Sequence, residues 1–366
     1  MADSTLWTRQ PGFSIYTTYT IIKALIKLPC LMLLYTVPHF RPLRAWTYQQ
    51  AFARALTRLL FQYASVVEFS PAQSLDPGKE KDRFVVIEPF TNPDENDPQS
   101  KSIYTGIAKP SSTPNGISPA TIGGTCLTPT RRRIFLHFHG GAYVLFDCRD
   151  RDMAFGASLL LQASASADSG ADAITAYAHL VLRLKVDARD VILSGDSAGG
   201  NLALALLRYL EEETKVLPLP GGVVLWSPWT DLSVDPEELR ARAEDRLDIV
   251  PVRVVEWGLR VFLPEGITLD QDCEGGKGVC ENAYISPVTR GIETEVPVWV
   301  QVGGKEIIRE DILRWVEVQR RAGGRLRVYE IANAPHDMFM AGEGLGFVRE
   351  SREAAEDAIR FLDGRE

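Results

Sequence analysis

The segment Val191–Asn201, VILSGDSAGGN, holds the residues best suited to chemistry. An apolar stretch runs into Gly195-Asp196-Ser197-Ala198-Gly199 and on into an Ala/Leu-rich helical stretch. Gly-x-Ser-x-Gly between a strand and a helix is the pattern of a nucleophile elbow, which holds a serine hydroxyl exposed at the strand tip. Glycines on both sides let the turn be tight. The backbone N–H of Ala198 is then placed to help bind an oxyanion. An ordinary glycine-rich turn is the competing reading; the flanking strand and helix signals and the extra Gly200 argue against it.

A serine hydroxyl needs a base within hydrogen-bond reach and a carboxylate to orient that base. With a nucleophile on such an elbow, the chain order is serine, acid, histidine. Of the five histidines only His336 follows Ser197, in the loop ANAPHDMF of Ala332–Phe339, and it is the expected base. The acid should follow the apolar run Val296–Val302, where Glu306 stands nearest the run's end. Asp311 is the second candidate, because Glu306, Glu310 and Asp311 could also serve only to favour a helix N-terminus. Ahead of the elbow, Ile134–Tyr143 reads IFLHFHGGAY, an apolar run ending in His139-Gly140-Gly141. Backbone N–H groups in such a loop can point at a developing oxyanion. His139 is read as a structural residue holding this loop, and His137 as a packed residue. This chemistry requires no metal and no organic cofactor.

These side chains need a scaffold, and the texture after Arg133 supplies one. Apolar runs at Ile134–Phe138, Val191–Ser194, Gly222–Trp226, Val296–Val302 and Leu326–Ile331 alternate with amphipathic stretches such as Asn201–Glu213 and Asp311–Ala322. Such alternation predicts βαβ units, hence an α/β fold with a mostly parallel central sheet flanked by helices. Asp235–Glu281 reads as a helical excursion between two strands. Ser70–Pro129 is turn-rich, with one strand candidate at Phe84–Ile87. Residues 1–80 form a hydrophobic and amphipathic N-terminal part, and 81–366 the catalytic domain.

Within that N-terminal part, Phe13–Tyr35 is about long enough to span a bilayer. Lys23 and Lys27, however, lie on one helical face, and each would cost about 2.5–3.5 kcal/mol inside the hydrocarbon unless it snorkels. A helix lying on a membrane surface, or packing over a lipophilic pocket, fits the lysines better than a span. If it does span, Arg41, Arg44, Arg54 and Arg58 outnumber Arg9, which would leave the large domain in the cytoplasm. Trp46–Tyr63 predicts a second helix, apolar on one face with arginines on the other. The expected location is a membrane such as the endoplasmic reticulum, or otherwise the cytoplasm. A formal charge of -8 argues against nucleic acid as partner, and the run Arg131–Arg133 reads as a solvated strand start. Five cysteines without metal-ligand spacing suit a fold that does not rely on disulfides, although Cys273 and Cys280 could bridge if oxidised.

The His-Gly-Gly loop, the GDSAGG elbow, SPWTDLS at Ser227–Ser233 and Ile285-Ser286-Pro287-Val288 together resemble the hormone-sensitive-lipase-like branch of α/β hydrolases. The resemblance covers about Tyr104 to Phe361 and is nearest to fungal members with a hydrophobic N-terminal stretch, including steryl acetyl hydrolases and secondary-metabolism esterases. It implies an α/β-hydrolase fold with an N-terminal helical cap and a triad of Ser197, Glu306 and His336. It also implies an oxyanion hole from the N–H groups of Gly141, Ala142 and Ala198, with His139 and Gly140 supporting the loop. The implied activity is hydrolysis of a small hydrophobic ester, deacetylation by type. An arylformamidase- or amidase-type hydrolase and a non-catalytic small-ligand-binding member are the alternatives. Three departures stand out. Ala142 replaces the family's third glycine, and Glu306 stands where Asp is commoner. Ala163–Asp172, ASASADSGAD, holds no apolar run able to form the buried strand that the family has there. Either the chain bridges this gap in an unusual way, using Leu159–Leu161, or the segment reflects a misplaced exon boundary.

Overall fold

A computed structural model describes residues 5–70, 74–90, 102–110, 119–126, 133–149, 155–156, 158–159, 164–165, 170–263 and 281–365. Its centre is a five-stranded parallel sheet in the order β3-β5-β6-β7-β8. The strands are β3 (Ile134–Phe138), β5 (Val191–Asp196), β6 (Gly222–Trp226), β7 (Val298–Gly303) and β8 (Leu326–Ile331). β5, β6 and β7 are buried along their whole length, which is why they read as unbroken apolar runs rather than as alternating ones. Alternation persists in where each side chain goes. Val223 and Leu225 join the core beneath the helix Ala198–Glu212. Val224 and Trp226 join the opposite core with Trp299 and the helix Val348–Leu362. The sheet is thus covered on both faces, as the sequence texture predicts.

A second, antiparallel sheet has the order β1-β2-β4, with β1 at Phe84–Ile87, β2 at Ile122–Thr125 and β4 at Ser164–Ala165. β2 carries no strand signal, since half of its sequence IGGT is glycine. Gly123 is required there, because a Cβ would come within 2.4 Å of the Phe84 ring. The strand absent by sequence between 163 and 172 is therefore not wholly missing. It is reduced to Ser164–Ala165, which pairs with Gly124 and Thr125 and packs beside β3 without joining its ladder. Of Leu159–Leu161, Leu159 is helical, and 160–161 lie outside the described residues.

The helix Gly12–Leu34 buries only Gly12 and leaves Leu25 70% and Leu33 75% exposed. It leans on the helix Tyr48–Val67, where Tyr16 stacks on Tyr63 and Thr17 hydrogen-bonds the Tyr63 hydroxyl at 2.9 Å. That second helix starts at a Thr47/Gln50 capping box. Just before it, Trp46 is 1% exposed and its indole N–H donates to the Asn333 carbonyl at 2.6 Å. The arginines of this helix are not a solvent face. Arg54 is buried, and both Arg54 and Arg58 donate to backbone carbonyls of residues 246–250. The apolar spacing gave the right helix, but an arginine can bury its stem while its fork satisfies carbonyls, and periodicity does not register this. Of the excursion 235–281, the helices Pro236–Ala241 and Val252–Phe262 are present. Residues 264–280, including Cys273 and Cys280, and Arg131 and Arg132 lie outside the described residues.

Trp46→Ala would empty a fully buried site and strip the Asn333 carbonyl of its donor. A loss of about 3–5 kcal/mol is expected, seen as a drop of several degrees in Tm. An unchanged melt would mean that the N-terminal helices do not stabilise the sheet domain.

Candidate active site

β5 ends in a turn held in place by the end of β6 and the residues that follow it. The Ser197 N–H donates to the Trp226 carbonyl at 2.9 Å, and the Ser197 carbonyl accepts from the Trp229 N–H at 2.8 Å. Ser197 has φ of +51° and ψ of -117° at the N-terminus of the helix Ala198–Glu212, a conformation costing about 1–3 kcal/mol that the surrounding contacts must impose. A Cβ on Gly199 would lie 1.9 Å from the Phe138 carbonyl, so only glycine lets the helix start this close to β3.

Ser197 Oγ is 2.9 Å from His336 Nε2, and His336 Nδ1 is 2.7 Å from Glu306 Oε2. The other oxygen of Glu306 accepts the Gly303 N–H at 2.6 Å. Glu306 is fully buried. Asp311 goes elsewhere: its carboxylate receives the Arg242 fork at 2.7 and 2.9 Å. The loops after β7 and β8 must nearly touch for Glu306 to reach His336. Cβ atoms on Gly303 and Gly304 would lie 2.4 and 2.3 Å from the Pro335 and Ala332 carbonyls. Burial alone would lower the pKa of His336, but the Glu306 hydrogen bond and charge, with Asp248 and Asp337 nearby, push it up to about 9.

Two further carboxylates brace the site, and sequence reasoning missed both. Asp248, fully buried, accepts the N–H groups of His336 at 2.9 Å and of Ile307 and Ile249 at 2.7 Å. It links the Glu306 loop to the His336 loop from within the excursion, where no local pattern marks it. Asp337 follows the base, at φ of +60°. Its N–H donates to Ser227 Oγ at 3.1 Å, and its carboxyl accepts the Met340 N–H and hydrogen-bonds Asp196 of the elbow. Burial and then the Asp196 charge raise the Asp337 pKa well above the ordinary carboxyl range, so Asp337 carries the shared proton. Its place beside His336 was the available signal.

Asp196 also accepts the His137 ring at 2.8 Å and the Gly140 N–H at 3.0 Å. Burial lowers the His137 pKa to about 3, so this ring is neutral. It therefore donates from Nε2 to Asp196 and accepts the Ser194 hydroxyl at Nδ1, while stacking on Phe339. His139 contacts the Gly140 carbonyl at 2.8 Å through Nδ1. Beyond it the loop is left-handed, with φ of +98° at Gly141, +54° at Ala142 and +62° at Tyr143. Tyr143 is anchored by its hydroxyl, which donates to Asn201 at 2.8 Å. Ala142 fits because Gly258 faces it; a Cβ on Gly258 would be 2.6 Å from the Ala142 carbonyl.

Gly141, Ala142, Ser197 and His336 open into a narrow cavity of about 40 Å³ whose other walls are mainly apolar, including Phe61, Leu145, Trp229, Val254, Ile308 and Met340. Phe61 comes from the N-terminal helix Tyr48–Val67, which thereby forms part of the cavity wall. Among the described residues, no group of three or more His, Cys, Asp or Glu is placed to hold a metal ion.

Comparison with known proteins agrees with this architecture. An esterase of Acinetobacter venetianus is 27% identical over 202 residues, covering 52% of this chain and 62% of that protein. An acetyl-hydrolase of Streptomyces hygroscopicus is 28% identical over 207 residues, covering 52% of this chain and 63% of that protein. Each alignment thus takes in less than two thirds of the relative's own length. The crystal structure of an esterase from the bacterial hormone-sensitive lipase family superposes with a TM-score of 0.55 at 20% identity, covering 88% of this chain and 99% of that one. At such identity the likeness is one of fold. The family profile described as alpha/beta hydrolase fold matches residues 157–340, half of the sequence, and the chain belongs to that family.

Proposed function

We propose that the protein is a serine hydrolase that cleaves a small, hydrophobic carboxylic ester with a short acyl group, and that it works at a membrane surface. The observation that carries this reading is the hydrogen-bonded series Ser197–His336–Glu306 opening into an apolar cavity. His336 Nε2 takes the Ser197 proton as Oγ attacks the ester carbonyl, and Glu306 stabilises the imidazolium that forms. The carbonyl oxygen becomes an oxyanion held by the N–H groups of Gly141, Ala142 and Ala198. His336 then gives its proton to the departing alkoxide, leaving an acyl group on Ser197. A water, deprotonated by His336, releases the acid and restores the hydroxyl. The names of the esterase and acetyl-hydrolase relatives support an ester over an amide, and the narrow cavity supports a short acyl chain. The exposed apolar side chains of Gly12–Leu34, with Lys23 and Lys27 on one face, support a helix lying along a membrane.

Ser197→Ala should retain the wild-type circular dichroism and melt while hydrolysis of p-nitrophenyl acetate falls at least about 10³-fold. Wild-type protein that melts cooperatively yet leaves acetyl, butyryl and palmitoyl esters intact would sink the reading. Because His336 must be neutral to accept the serine proton, kcat/KM should rise with pH, with an apparent pKa above the ordinary 6.5 and towards about 9. Asp248→Asn removes a negative charge beside His336 and should move that rising limb to lower pH. A profile identical in both proteins would mean that Asp248 does not act on the base. Gly258→Ala tests the oxyanion loop. The gain in helix propensity of about 1 kcal/mol should largely offset the clash in a thermal melt, whereas displacement of Ala142 should lower kcat about 10- to 100-fold. A wild-type kcat would show that the amide positions tolerate the shift.

A further inference from the structure

A second cavity, of about 240 Å³, lies between the helices Gly12–Leu34 and Tyr48–Val67 and the excursion. Four cations, Lys27, Arg54, Arg58 and Arg246, line it against one carboxylate, Asp245. Asp245 is already bound to Arg58 at 2.8 Å. Among the described residues Lys27 and Arg246 have no carboxylate partner, and both are exposed at the cavity's edge. Arg54 is buried beside Arg58, and burial together with that like charge lowers its pKa to about 10. The remaining walls are Leu31, Ala55 and Leu59, with Tyr35 and the polar Gln62 beside them. Carbonyls of residues 246–250 and Asp245 take up part of the Arg54 and Arg58 donors, and the surplus of positive charge left in the hollow favours an anion there. Guanidinium forks match phosphate oxygens two at a time, and an ammonium adds a point charge.

We propose that this cavity binds a phosphate group carried on an apolar body, its oxygens on Lys27, Arg54, Arg58 and Arg246 and its carbon skeleton against Leu31 and Leu59. The headgroup of an anionic phospholipid has this chemistry, and the cavity adjoins the helix whose apolar side chains are exposed. The choice of a lipid as the source rests on the membrane-surface reading above; the charge and shape of the cavity do not. Occupancy would also reach the active site. Arg54 and Arg58 donate to the carbonyls of residues 246–250, and from that segment the Asp248 carboxylate holds the His336 and Ile307 N–H groups.

The test is co-sedimentation of the full chain with phosphatidylcholine vesicles, plain or doped with phosphatidic acid, beside a thermal melt with and without inorganic phosphate. Wild-type protein should partition about ten-fold more strongly onto the doped vesicles, and Lys27→Gln with Arg246→Gln should lose most of that preference. Lys79→Gln with Arg352→Gln, an equal charge change on exposed residues elsewhere, should keep it. A phosphate-dependent rise in Tm that the Lys27/Arg246 variant lacks, without any vesicle preference, would support the phosphate site and make its ligand a soluble one. The proposal is overturned if neither vesicles nor phosphate separate the wild type from the Lys27/Arg246 variant, or if the control pair loses as much as the pocket pair. Binding to plain phosphatidylcholine reports separately on the membrane-surface reading, so the two can fail independently.

Discussion

The Asp248 carboxylate accepts three backbone N–H groups, those of Ile249, Ile307 and His336. A fully buried carboxylate needs such donors in place of the water it has lost. Satisfying it fixes the acid loop, the base loop and the excursion relative to one another. The backbone carbonyl of the same residue accepts from Arg54 and Arg58, so the constraint passes outward to the N-terminal helices. Side-chain reach in the Ser197–His336–Glu306 series is short at every step. Its geometry therefore depends on loop positions that this one group sets.

A second buried group works by a different rule. Asp196 and Asp337 lie together, which is tolerable because burial and their mutual charge favour a shared proton and because His137, Gly140 and Met340 supply donors. This places a hydrogen-bonded carboxyl pair directly behind the serine and the histidine, one residue from each. Asp248 fastens the front of the base loop, and the Asp196–Asp337 pair fastens its back to the elbow. The left-handed backbone at Ser197 and Asp337 is held by these contacts.

Most of the scaffold was legible because buried parallel strands leave a plain mark. Ile134–Phe138, Gly222–Trp226 and Leu326–Ile331 stand in the structure with the bounds their apolar runs suggest, and so does the antiparallel Phe84–Ile87. Ser197, Glu306 and His336 were legible from chain order and from their places after strands. What stayed hidden has a common cause: it depends on partners far away in sequence. Asp248 bonds across 59 and 88 residues, and no neighbour in sequence reveals this. Arg54 reads as a surface arginine until the carbonyls of residues 246–248 are seen around it. β2 escaped because Gly123 stands there to make room for the Phe84 ring, not because glycine favours a strand.

The shrinking of β4 to Ser164–Ala165 divides what would be one sheet into two hydrogen-bonded ladders. Every candidate catalytic element, namely the loops after β3, β5, β7 and β8, belongs to the parallel ladder, which is continuous from β3 to β8. The antiparallel ladder is thus a separate cooperative unit, able to open at a lower free energy than the whole domain. Local melting there need not disturb the catalytic geometry.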